Sequence, residues 1–136
     1  MINKPTLTAA MTPFPHSLPP NAPVVEAATL MRQHRIHHLP VADGDWIVGI
    51  LSARDLATQG SKSTAVRECN NANPYLVDAA TPLDEVLFHM ADHQIECAIV
   101  TRDGKLAGIF TAVDACRTFA GHLRALYPAF SDDSAG

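Results

Sequence analysis

The heptapeptide Gly49-Ile50-Leu51-Ser52-Ala53-Arg54-Asp55 returns as Gly108-Ile109-Phe110-Thr111-Ala112-Val113-Asp114, 59 positions further on. The same shift, with no gap, carries Leu7 onto Val66 and Ala57 onto Cys116. Between those ends it superposes Pro15 on Pro74, Pro23 on Pro82, Glu26 on Glu85, Met31 on Met90, His34 on His93, Ile36 on Ile95 and Val41 on Val100. Whatever this chain folds into must contain the same elements twice. A unit this short buries too little apolar surface to stand alone. The two copies are therefore expected to pack on each other as one pseudo-symmetric body.

At 136 residues with 47% hydrophobic side chains, the chain suits one compact α/β body. A formal charge of -4 with no basic stripe argues against binding a nucleic-acid backbone. No apolar run reaches the length of a membrane span, and Met1-Ile2-Asn3-Lys4-Pro5 lacks the apolar core of a signal peptide. A cytoplasmic location is expected, away from membranes. Cys69, Cys97 and Cys116 are odd in number and widely spaced, so reduced and mostly buried thiols are expected rather than a disulfide framework.

Residues 1–6 read as a loose end, and the five prolines between Pro13 and Pro23 read as extended chain with turns. Apolar spacing from Val24 predicts a helix to about Arg35, with Ile36 closing it against the core. His38 to Ala42 and Trp46 to Leu51 read as strands joined by the Asp43-Gly44-Asp45 turn. Ser52 then caps a helix from Ala53 to Gln59 that ends at Gly60. The second copy repeats the order. A short helix over Ala65 to Cys69 precedes an extended Asn73 to Asp78, and a helix from Pro82 to about Gln94 turns Leu83, Val86, Leu87 and Met90 inward. Strands follow at Cys97 to Thr101 and Leu106 to Phe110, and Thr111 caps a last helix through Ala112, Cys116 and Phe119. That helix is expected to continue after Gly121, from His122 to Leu126. The units are thus 7–60 and 65–120, with 121–136 an extension whose acidic end, Ser131 to Gly136, is expected to be disordered.

A duplicated β-α-β-β-α order, in which a glycine, two apolar residues and a hydroxyl residue precede an aspartate, resembles the cystathionine-β-synthase (CBS) domain pair, or Bateman module. The likeness covers about residues 7–120. It includes the Ala9-Ala10-Met11-Thr12-Pro13 lead-in, the Leu39-Pro40-Val41 strand and the Asp43-Gly44 turn. Nothing flanks the pair, so the resemblance implies a stand-alone regulatory module without an enzyme or channel attached.

The resemblance further implies clefts between the copies that bind an adenine nucleotide: AMP, ADP, ATP, NAD or S-adenosylmethionine. Gly49 would let backbone approach closely, Ser52 at a helix start would help hold phosphate, and Asp55 would accept the ribose hydroxyls. Thr111 and Asp114 would serve the second cleft in the same way. Adenine would lie against the extended segments, near Ser17, Leu18, Ile36, His38 and Leu39, and near Tyr75, Leu76, Val77, Ile95, Cys97 and Ala98. Arg54 offers the cleft of Asp55 a phosphate partner that Val113 denies the other. A Ser or Thr cap followed by Asp is also an ordinary helix start, and that alternative stands beside the ligand reading.

His89, His93 and Cys97, and likewise His34, His37 and His38, have spacings that could suit a metal. However, each group spans more than one element, and His34 and His93 occupy equivalent positions, so capping or surface roles and no metal site are expected. No nucleophile elbow or P-loop is present, and catalysis is not expected. The rival to ligand sensing is a protein-interaction or dimerisation module. In either case a homodimer and an effector protein of unknown identity are the expected partners.

Overall fold

The computed structural model describes residues 4–128, apart from the Lys62 side chain. Its elements are β1 (Thr12–Pro13), α1 (Val24–His34), β2 (His38–Asp43), β3 (Trp46–Ser52), α2 (Ala53–Gln59), β4 (Tyr75–Asp78), α3 (Leu83–His93), β5 (Cys97–Arg102), β6 (Lys105–Thr111) and α4 (Ala112–Leu126). Short 3-10 turns at Leu7–Ala9 and Val66–Glu68 lead into the two copies. The fold is mixed α/β, with one sheet in the order β1-β6-β5-β4 and a second made of β2 and β3.

The copies are interlocked rather than merely adjacent. β1, from the lead-in of the first copy, pairs antiparallel with β6 of the second, Thr12 opposite Ile109 and Pro13 opposite Gly108. The equivalent lead-in of the second copy returns the exchange. There, Ile50 N–H donates to the Asn71 carbonyl at 2.9 Å and Asn71 N–H to the Ile50 carbonyl at 2.8 Å. The same reciprocity recurs upstream, where Leu7 N–H donates to Thr81 O and Val66 N–H to Ala22 O, both at 2.9 Å. Each lead-in turn therefore plants a side chain in the opposite core. Leu7 is buried among Val77, Leu83, Val86, Val100 and Phe110, and Val66 among Ala27, Met31, Leu39, Val41 and Leu51.

This exchange explains the glycines that open both heptapeptides. A Cβ on Gly108 would lie 2.8 Å from the Thr12 carbonyl oxygen and 2.6 Å from Met11 Sδ, and one on Gly49 would lie 2.7 Å from the Asn71 carbonyl oxygen. Neither backbone oxygen can retreat without breaking the exchanged pairing. The close approach expected at Gly49 is thus made by the other copy's chain.

Helices α1 and α3 end alike. Arg35 and Gln94 adopt left-handed conformations, φ 54 and φ 55. Ile36 N–H then donates back to Met31 O at 3.0 Å, and Ile95 N–H to Met90 O at 2.9 Å. Such back-bonded ends satisfy orphan carbonyls and tuck the next apolar residue onto the helix. In the first copy the same turn swings Arg35, His37 and His38 to one side of the molecule.

Several sequence expectations are corrected. Residues 4–6 are not loose, since Pro5 O accepts from Leu83 N–H at 2.9 Å and Lys4 Nζ meets Asp84 Oδ2 at 3.0 Å. Gly60 opens a 3-10 turn over Gly60–Lys62, and the short helix expected from Ala65 to Cys69 is a 3-10 turn. Leu87 is 37% exposed instead of facing inward, whereas Leu83, Val86 and Met90 are buried. As expected, α4 continues through Gly121 to Leu126; an exposed helical glycine costs only about 1 kcal/mol relative to alanine. The tail Ser131 to Gly136 lies outside the described residues.

Two glycine substitutions should move stability in opposite directions. Gly108→Ala should lower unfolding free energy by about 1–3 kcal/mol, the cost of overpacking against fixed backbone. Gly121→Ala, whose Cβ meets nothing within 4 Å, should leave stability unchanged or raise it by up to about 1 kcal/mol. Urea unfolding of both variants checks this, and an unaffected Gly108→Ala would contradict the close approach.

Candidate functional site

Where the first copy's lead-in crosses to β6, a cleft of about 980 Å³ opens between the copies. One wall is the segment from Thr12 to His16, and a second is the end of α1 with the turn that follows, from His34 to His38. The starts of α2 and α4 close it, supplying Ser52, Ala53 and Arg54 from one and Thr111 to Asp114 with Arg117 from the other. Glu96 and Ile109 complete the lining.

The helix starts are built by the repeated heptapeptide. Asp55 N–H donates to Ser52 Oγ at 3.0 Å, while Ser52 N–H donates to Asp55 Oδ2 at 3.2 Å. In the second copy Asp114 N–H donates to Thr111 Oγ1 at 3.2 Å and Thr111 N–H to Asp114 Oδ2 at 2.9 Å. Each hydroxyl and carboxylate thus satisfies orphan donors reciprocally, a capping box. The copies differ in what remains. Asp114 keeps Oδ1 for Thr12 Oγ1 and Arg117, each at 3.4 Å, and so presents a carboxylate oxygen to the cleft.

Of the residues singled out in the sequence, Ile36, His38, Ser52, Arg54, Thr111 and Asp114 are brought together along this cleft. The others do not line it. Leu18 and Leu39 are buried in the first core, and Val77 and Ala98 in the second, where Tyr75 and Ile95 pack partly buried. Cys97 is buried in β5, and that burial, with Asp114 and Glu96 nearby, pushes its thiol up to about 12. Ser17 and Leu76 are exposed on other surfaces, and Asp55 is confined to its cap, half-buried.

The allocation of Arg54 needs correction. It was expected to mark the cleft of Asp55, yet it lines the same cleft as Val113 and Asp114. Successive helical residues are turned by roughly 100°, so Arg54 points away from the side where Asp55 caps. Thr12, Arg35, Glu96 and Arg117, which also line the cleft, were not among the expected site residues. For Arg117 a signal existed, since it stands three residues after Asp114 on the same helix face.

Histidines crowd the cleft. The rings of His16 and His34 stack with centroids 3.8 Å apart. Burial pushes His38 below the usual histidine value and His37 adds to this, while Glu96, the larger of the opposing influences, and Asp55 act against it. On α3, His89 stacks between Tyr75 and His93, and His93 Nδ1 lies 3.0 Å from the His89 carbonyl oxygen. Among the described residues no three His, Cys, Asp or Glu side chains converge to hold a metal ion.

Comparison with known proteins bears on this geometry. The family model of the CBS domain matches residues 7–61 and again 66–121. The uncharacterized protein YlbB of Bacillus subtilis is 36% identical over 98 residues, covering 67% of this chain and 66% of that one. Inosine-5'-monophosphate dehydrogenase of Korarchaeum cryptofilum is 35% identical over 96 residues, which are 70% of this chain but 20% of the enzyme. The CBS domain pair of protein MJ0100, solved with 5-methylthioadenosine and S-adenosyl-L-methionine, superposes with a TM-score of 0.82 at 26% identity, covering 88% of this chain and 99% of that one. CBSX2 in complex with AMP gives 0.78 at 26% identity, over 88% of this chain and 98% of that one. With a family match on each copy and the interlocked fold of the solved pairs, the chain belongs to the CBS-domain family as a tandem pair.

Proposed function

We propose that this protein is a regulatory ligand sensor whose cleft takes an adenosine-containing molecule and whose occupancy is relayed to a partner protein. The observation that carries the reading is the Asp114 carboxylate, fixed at the cleft by the α4 cap with Oδ1 turned to Thr12 and Arg117 at long, 3.4 Å contacts. A carboxylate fixed in this way suits a pair of ribose hydroxyls. Ile36, Ile109 and the 94% exposed ring of Phe14 offer apolar faces for adenine. Arg35, Arg54 and Arg117 offer cations for phosphate. The volume falls within the range of small-molecule sites, and two solved CBS pairs hold adenosine compounds. AMP, ADP, ATP, NAD and S-adenosylmethionine are the ligands to test. Ser52 and His38 are proposed as further contacts. Relay would follow if the ligand favours one arrangement of the two copies over another.

In this reading the chain has no catalysis of its own and acts in the cytoplasm; no described helix is long and apolar enough to cross a membrane. A homodimer is the proposed assembly, supported by Phe88 on α3 and Phe119 and Leu126 on α4, which are 70%, 61% and 58% exposed. Light scattering should then return twice the monomer mass, and a monomer at micromolar concentration with and without ligand would contradict it.

Ligand-dependent melting decides between sensing and a purely protein-binding module. A true site raises the melting temperature with ligand concentration, whereas a flat response to every adenosine compound removes the proposal. Within it, Asp114→Asn should weaken binding about tenfold or more, since charged hydrogen bonds contribute about 1.5–3 kcal/mol. Asp55→Asn should change affinity for this cleft by less than about twofold, because its carboxylate does not line the cavity. Calorimetry checks both.

A further inference from the structure

The cleft gathers His16, His34, His37 and His38, four of the chain's seven histidines. Three elements contribute them: the lead-in segment, the last turn of α1 and the turn into β2. Arg35 stands beside them, Arg54 faces them from α2 and Arg117 from α4. The carboxylates on the lining are Glu96, ahead of β5, and Asp114, which is already engaged by its own cap and by Arg117. Three guanidiniums against two carboxylates leave the wall with one positive charge while the imidazoles are neutral, and every imidazole that gains a proton adds another.

Proton gain and anion binding are coupled here by simple electrostatics. Imidazole is the side chain that changes charge between pH 5 and 8. An anion seated among these side chains favours added positive charge on the wall. The stacked rings of His16 and His34, 3.8 Å apart, sharpen this effect. One protonated ring on a neutral one is a favourable cation–π pair, but two protonated rings repel unless an anion screens them. His38 is set apart by burial, which pushes it below the usual histidine value.

We infer that the cleft selects adenosine ligands carrying phosphate charge over uncharged or sulfonium-bearing ones, and that it takes up protons as they bind, with His16, His34 and His37 as the acceptors. The inference rests on the cleft reading proposed above and adds ligand class and proton linkage to it. By reciprocity, a ligand whose binding draws protons in must bind more tightly as pH falls through the imidazole range. The cleft would then report phosphate-bearing adenosine and acidity together.

The test needs a ligand whose own charge stays fixed. A phosphomonoester titrates near pH 6, whereas the diphosphate diester of ADP-ribose has no such step; adenosine is the uncharged control. Calorimetry on the whole protein should show ADP-ribose binding about tenfold more tightly at pH 5.5 than at pH 8, with adenosine changing by less than about twofold. At pH 6.5, binding heats in buffers of differing ionisation enthalpy should give net proton uptake for ADP-ribose and none for adenosine. The double variant His16→Gln, His34→Gln should lose most of the pH slope. If both ligands bind with affinities independent of pH and no protons are taken up, the inference falls and the cleft reading survives. If a pH slope persists undiminished in the double variant, the assignment to the stacked pair is overturned. If neither ligand binds at any pH, the cleft reading itself fails.

Discussion

The reciprocal exchange of lead-in chains between the two copies is the constraint on which the rest of this structure depends. Backbone pairing of Thr12 and Pro13 with β6, and of Asn71 with Ile50, ties each copy's first residues to the other's last strand. Because Leu7 and Val66 sit at 0% exposure in the opposite cores, neither hydrophobic cluster is complete without residues from both copies. The sequence repeat and the packing unit are therefore offset from one another. A buried leucine or valine contributes about 1.5–3 kcal/mol, a large fraction of the marginal stability of a chain this size.

The cleft follows directly from that exchange. The chain that crosses to β6 brings Thr12 within 3.4 Å of Asp114 and carries His16 against His34. Without the crossing, the α4 cap would face solvent. Without the left-handed turn at Arg35, the four residues after α1 would not reach the same opening. The site is thus assembled from segments distant in sequence, each held by backbone hydrogen bonds that serve the fold. That arrangement suits a sensor, because a molecule filling the cleft touches both copies at once.

Much of this was legible in the residues. The repeated heptapeptide predicts the Ser52 and Thr111 helix caps, which are present in both copies, and the paired prolines Pro23 and Pro82 stand immediately before α1 and α3. Strand exchange was not legible, because β3 and β6 both offer a Gly-Ile step to an incoming chain and local pattern cannot choose between them. Period-two alternation along the extended segments explains another divergence: His38 turns to the cleft while Leu39, next in sequence, turns to the core. The side chains of Leu18, Leu39, Val77 and Ala98 are committed to the two cores, so these positions can offer a ligand only their backbone groups. Helical rotation likewise separates Arg54 and Asp55, which are neighbours in sequence but face different surroundings.

Native-state hydrogen exchange tests the interlock most directly, because it reads the opening of individual amides in the intact chain. The amides of Leu7 and Val66, which donate to Thr81 and Ala22 across the exchange, should open with the same free energy as those of Val41 and Val100 in the two cores. The interlock predicts a single cooperative unit, with both copies losing protection together as denaturant is raised. Exchange of one copy's core amides through an opening that leaves the other copy protected would contradict it.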